Sequence, residues 1–191
     1  MRRDERLQQI LDAAARVLSE KGPHGMTMRE VAAETGVSVG LVYRYAASKE
    51  DLIYQVERRI LEAAVTSAEA ALVARTARDR LKAVVTDHIR RVLGRPGEAP
   101  VIQGGPTLLP ERQARRIAEL RDRYVALVGV AVDDVVRPKV RRRKDTERRT
   151  WMLIAMADRA AFLASTGQLG SRPDRLAGSV LALFLDGARG R

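Results

Sequence analysis

Two tyrosines, an arginine, a lysine and a side-chain-free glycine lie within ten residues of one another, between Gly40 and Lys49. They contain no nucleophile with its base and no metal-ligand spacing. Phenol hydroxyls, a guanidinium and an ammonium at this density are donors for phosphate oxygens and base edges. The stretch Thr27–Asp51 supplies the elements that hold them. Thr27 caps a helix, and Glu30 three residues on completes a capping box. Gly36 supplies the left-handed backbone of a tight turn. Ser38 caps a third helix running through Tyr45, and Ser48, with Asp51 at the box position, caps a fourth. Two short helices around such a turn form a helix-turn-helix whose second helix enters the major groove of DNA.

At about 100° per residue, Val42 and Ala46 of the third helix fall together and face inward. Arg44 lies opposite them with Gly40 and Leu41 beside it, and Tyr43 and Tyr45 flank that outward face. A plain surface helix with tyrosines packed at a domain edge fits these residues too. The DNA reading gains from Gly40, which costs about 1 kcal/mol of helix propensity yet lets a backbone approach DNA closely. Val39 and Leu41 suit thymine methyls, and the tyrosine hydroxyls suit phosphates on either wall of the groove. Lys49 opposes the helix dipole at its N-terminal position, but there a phosphate would meet both the ammonium and the helix N-terminus. Arg44 is assigned to guanine or phosphate, with a solvated arginine as the alternative. Arg2, Arg3 and Arg6 fit a disordered tail better than a minor-groove arm.

The rest of the chain has helical period. Leu7, Ile10, Leu11, Ala14, Val17 and Leu18 form one stripe that Gly22-Pro23 ends. The fourth helix extends to about Ala74, a fifth fits Ala77 to Leu93, and the proline- and glycine-rich residues 94–110 read as a loop or a broken short helix. Helices follow over about Glu111–Val136, Asp145–Ser165 and, with Ser171 as cap, to about Ala188. The valine run Val125–Val132 has strand propensity but no partner strand, so it is read as a buried helix. The expectation is an all-α chain of about nine helices, divided into a helix-turn-helix domain over 1–48 and a larger bundle over 49–191.

The absence of cysteine rules out disulfides and fits a reducing cytoplasm. With two histidines, His24 and His88, no metal site is expected, and no cofactor is expected either. The N-terminus has no secretory pattern. The longest apolar run, Tyr124–Val132, is far shorter than the ~20 residues of a membrane helix. The net charge of +11 suggests a polyanionic partner. Much of the excess lies in Arg137–Arg149, which holds eight basic and two acidic residues and reads as a solvated connector, with an anion-binding role as the minority view. Net charge therefore adds little to the motif.

The chain resembles the tetracycline-repressor (TetR) family of transcriptional regulators over residues 6 to about 56. The resemblance rests on the Ile-Leu-x-Ala-Ala first helix, Gly22, Thr27, Val31-Ala32, the turn Thr-Gly-Val-Ser, then Leu-Val-Tyr-Arg-Tyr and Ser-Lys-Glu-Asp-Leu. Ala46-Ala47 departs from it, since such sequences usually carry phenylalanine or a similar residue at the first site. The resemblance implies a homodimer, and geometry asks for one, because one recognition helix reads only about three or four base pairs whereas two copies ~34–36 Å apart read a palindrome. It places DNA contacts on Thr27, Met28, Val39, Gly40, Leu41, Tyr43, Tyr45 and Lys49.

It further implies that the bundle dimerises and binds an effector. Ala155, Ala157, Ala160, Ala161 and Ala164 with Leu176, Val180, Leu183 and Phe184 are the expected interface, although a monomer core fits the same stripes. Val84, Val85, Ile89, Val92, Leu120, Val128 and Trp151 are expected to line a pocket in which His88, Tyr124, Thr86 or Arg121 orients a ligand; ordinary core or surface is the competing reading. The expected function is a palindrome-binding repressor released by a small-molecule effector that shifts the fourth helix. The alternative is a DNA-binding protein without such an effector, architectural or partner-regulated. No enzyme signature is present; Asp87-His88 is an isolated pair on a helix.

Overall fold

The computed structural model describes residues 3–95, 101, 108–136 and 143–188. Eight helices and no strand occur among them: α1 Arg3–Gly25, α2 Met28–Thr35, α3 Val39–Tyr43, α4 Lys49–Ala71, α5 Ala77–Gly94, α6 Glu111–Val136, α7 Arg143–Ser165 and α8 Pro173–Ala188. The valine run is helical throughout, because its apolar residues meet the core on the helical period. Against about nine expected helices, Val101 is helical but most of its neighbours lie outside the described residues. The connector residues 137–142 lie outside them as well.

Local signals act largely as read. Gly22 breaks α1 with φ 68 and ψ 175. Thr27 and Glu30 form the capping box reciprocally: the Glu30 amide donates to the Thr27 hydroxyl and the Glu30 carboxylate accepts from the Thr27 amide at 2.9 Å. Hydrogen bonds from Lys21 first, and then from Thr27, hold the Glu30 carboxyl below its ordinary value. Gly36 closes α2 at φ 65, a backbone that a Cβ would strain. Several boundaries differ: α1 already includes Arg3 and Arg6, expected in a tail, α4 ends at Ala71 rather than about Ala74, and α7 begins at Arg143 rather than Asp145. α3 ends at Tyr43, two residues early, with Arg44 as its cap. α8 begins at Pro173, whose fixed φ suits a first helical position, so Ser171 is not its cap.

The chain forms two compact units. The first comprises residues 1–62 and 97–121, the second 63–96 and 122–191. In the first, α1 packs on α2 and α2 on α3. Ile10, Met26, Val31, Val42, Leu52 and Ile53 are fully buried there. Arg59 of α4 reaches α1, pairing with Asp12 and donating to Gln8, both at 2.8 Å. In the second, α5 packs on α7 and α8, and these two on each other. No helix among the described residues is long and apolar enough to cross a membrane, and those residues hold no cluster of three or more metal-ligating side chains.

Candidate nucleic-acid interface

α3 is held by its two ends and one apolar face. The Ser38 hydroxyl accepts from the Leu41 amide at 3.2 Å, Val42 is fully buried and Ala46 nearly so. The opposite side is open. Tyr43 is 52% exposed, Gly40 and Arg44 are exposed, and a Cβ built on Gly40 would meet nothing within 4 Å. Val39, Leu41 and Tyr45 are half-buried beside this face. The Tyr45 carbonyl is tied to α4 by the Gln55 amide at 3.0 Å. The smaller Ala46, where family members usually carry a bulkier side chain, is accommodated by the burial of Val42 and Leu52.

Thr27 is exposed at the start of α2. Met28 is not available as a side-chain contact: it is 6% exposed and belongs to the core, because its position on α2 shares the inward face with Val31 and Ala32. Lys49 opens α4, its ammonium 3.4 Å from the His24 carbonyl. The helix terminus around it is already occupied by acids. Asp51 accepts from the Ala47 amide at 2.9 Å. The Glu50 carboxyl is held below its ordinary value, first by the Glu50 backbone amide and then by the Ser48 hydroxyl. A phosphate here would therefore depend on the Lys49 ammonium more than on free helix amides.

The open, donor-bearing helix beside a half-buried lysine has the layout of a DNA-reading head, and two family models match the chain. "Bacterial regulatory proteins, tetR family" matches residues 10–56, which span this head. "Tetracyclin repressor-like, C-terminal domain" matches residues 74–162. The chain belongs to the TetR family. Among curated relatives, this TetR-family chain is 37% identical over 82 residues to the HTH-type transcriptional regulator BetI of Rhizobium meliloti (strain 1021), covering 42% of this chain and 40% of that protein. It is 29% identical over 96 residues to the fatty acid metabolism regulator protein of Bacillus subtilis (strain 168), covering half of each. The chain thus spans half or less of the length of these curated relatives. Its fold is similar to that of a TetR-like transcriptional regulator from Rhodococcus sp. RHA1, with TM-score 0.77, 22% identity and all of both chains covered.

The second unit of this TetR-family chain arranges the expected effector residues differently. Val85, His88, Ile89, Val92, Tyr124 and Val128 are buried core. A cavity of about 610 Å³ lies instead between α6 and α7, and of the expected pocket residues it takes only Trp151. Arg121 donates to the Val101 carbonyl in the first unit. Thr86, itself buried, borders a second depression formed by α4, α5 and Asp174 of α8.

His88 is joined at 2.8 Å to the Tyr124 hydroxyl and at 2.9 Å to Asp158, all three buried. Burial pushes the Tyr124 phenol up, so it keeps its proton. The Asp158 carboxylate can only accept, so Nε2–H donates to it, and the Tyr124 hydroxyl meets Nδ1 on the other side of the ring. Asp87 is not part of this chain of bonds; it pairs with Arg91 one turn on. Asp158 was legible as an acid on the otherwise apolar stripe Ile154, Ala157, Ala161.

The expected dimer surface also needs correction. Ala157, Ala161, Leu176, Val180 and Phe184 are buried within the subunit, because those faces of α7 and α8 pack on α5 and on each other. Of the expected set, Ala155 on α7 and Leu183 on α8, the latter 70% exposed, point outward. The outward face of α7 carries Met152 and Phe162, 57% and 49% exposed, with Arg159 stacked 5.0 Å over the Phe162 ring.

Proposed function

We propose that this chain is a sequence-specific DNA-binding transcriptional regulator that acts as a homodimer on a palindromic operator and is released by a small-molecule effector. One observation carries the DNA reading: α3 buries Val42 and Ala46 while leaving Gly40, Tyr43 and Arg44 open. Residues 1–48 are the reading head. Thr27, Val39, Gly40, Leu41, Tyr43, Arg44, Tyr45 and Lys49 contact DNA, with Met28 offering only backbone. Residues 49–191 dimerise through the outward faces of α7 and α8, on Met152, Phe162 and Leu183.

The effector role is supported by family membership and by a structural neighbour, the regulator FadR of Bacillus subtilis, solved in complex with stearoyl-CoA (TM-score 0.71, 22% identity, 94% of this chain and 98% of that chain covered). Effector binding acts by moving α4, which begins in the reading head. Near-complete release, from 99:1 to 1:99, requires a differential affinity of about 5.5 kcal/mol between the two states. Cytoplasmic action on DNA follows from the same reading. Selection from a random duplex pool tests it. The proposal expects recovery of an inverted repeat whose half-sites are about one helical turn, or a multiple of it, apart; a pool enriched for no sequence would count against it.

A further inference from the structure

The cavity between α6 and α7 differs in chemistry from the core around His88. Asp122 and Asp133 stand eleven residues apart on α6, three full turns, so they share one face with a separation of about 16 Å along the axis. Between them the floor is apolar, with Ala126 and Val130, the latter half exposed. α7 approaches closely here because Gly129 has no side chain; a Cβ there would sit 3.3 Å from the Thr150 hydroxyl. From α7, Glu147 adds a third carboxylate and Trp151 an accessible indole.

Among the described residues one carboxylate of the wall is paired with a cation and three are not. Asp134, also in the wall, is paired with Arg80 at 2.7 Å. Asp133 accepts only a hydroxyl, from Thr146 at 2.7 Å. Among the described residues Asp122, Asp133 and Glu147 have no cationic partner, in a chain whose net charge is +11.

We propose that this groove binds an elongated organic cation of the linear polyamine class. Its terminal ammonium groups would lie on Asp122 at one end and on Asp133 and Glu147 at the other. Its methylene segments would cover Ala126 and Val130, and an inner ammonium would face the Trp151 ring. Each part follows from the wall it meets: ammonium to unpaired carboxylate, alkyl stem to apolar floor, cation to indole face. The carboxylate spacing selects for length, since an extended spermine can bridge it and the short diamine putrescine cannot. The site is independent of the DNA reading, and its test needs no DNA.

Trp151 is the chain's only tryptophan, so its emission reports on this groove. Spermine added to the full-length protein at low ionic strength is expected to change that emission saturably, with the same midpoint by calorimetry. Putrescine should bind more weakly. The double variant Asp122→Asn with Glu147→Gln should weaken spermine binding about 2- to 30-fold, the range for two rim ion pairs, without changing the melting temperature. Three results would overturn the proposal: no saturable response in the wild type, an undiminished response in the double variant, or an emission that follows protein concentration and ignores spermine. The last would mean that a second copy of the chain covers the groove.

Discussion

Replacing Phe162 with arginine, or Leu183 with glutamate, is expected to turn the proposed dimer into a folded monomer and to weaken operator binding by roughly 10²–10⁴-fold, the range lost when two linked contacts become one. Both side chains project from the subunit, so their loss opens no cavity and leaves no buried group without a partner. A charge in their place is well hydrated in the monomer and must be desolvated in the interface. Sedimentation equilibrium gives the oligomeric state, and a DNA titration of the same samples gives the affinity. Ala161 provides the contrast, because it is fully buried and an arginine there should unfold the subunit rather than split the dimer. If both surface variants remained dimers with unchanged affinity, the outward faces of α7 and α8 would not be the interface.

Asp158→Ala is expected to cost about 3 kcal/mol, because it leaves the buried His88 Nε2–H without an acceptor. For a chain of this size that lowers the melting temperature by roughly 6–12 °C. Asp158→Asn keeps a carbonyl oxygen in place and should retain most of the stability. The comparison separates a lost acceptor from a lost charge: equal losses in both variants would show that the carboxylate charge, rather than the hydrogen bond, stabilises the cluster. Calorimetric melting of the three proteins side by side reads the difference.

The reading head was the most legible part of the chain because its signals are local. Capping at Thr27 and Ser38, the left-handed turn at Gly36 and the inward pair Val42 and Ala46 each depend on residues within a few positions. The Met28 side-chain contact implied by the resemblance fails for a local reason too: the helical period puts Met28 on the inward face with Val31. The bundle was legible in its elements and not in its faces. Helices α5 to α8 follow from periodicity, but an apolar stripe does not say whether it meets its own subunit or another. Alanines 157 and 161 pack inward, while the informative outward residues, Met152 and Phe162, lie off the main stripe. The joining of His88 to Asp158 spans seventy residues, a pairing set by how α5, α6 and α7 come together. The groove at Trp151 likewise depends on Gly129 meeting Thr150 across two helices.

DNA recognition by this chain requires that α3 present its open face to base-pair edges and phosphates. The most direct measurement is the affinity of Tyr43→Ala and Lys49→Ala proteins, each checked for native circular dichroism and melting temperature, for the operator recovered by selection or for the chain's own upstream region. Each substitution is predicted to weaken binding roughly 10-fold or more, as the loss of a direct contact in both reading heads should. Folded variants that bind as tightly as the parent protein would contradict it.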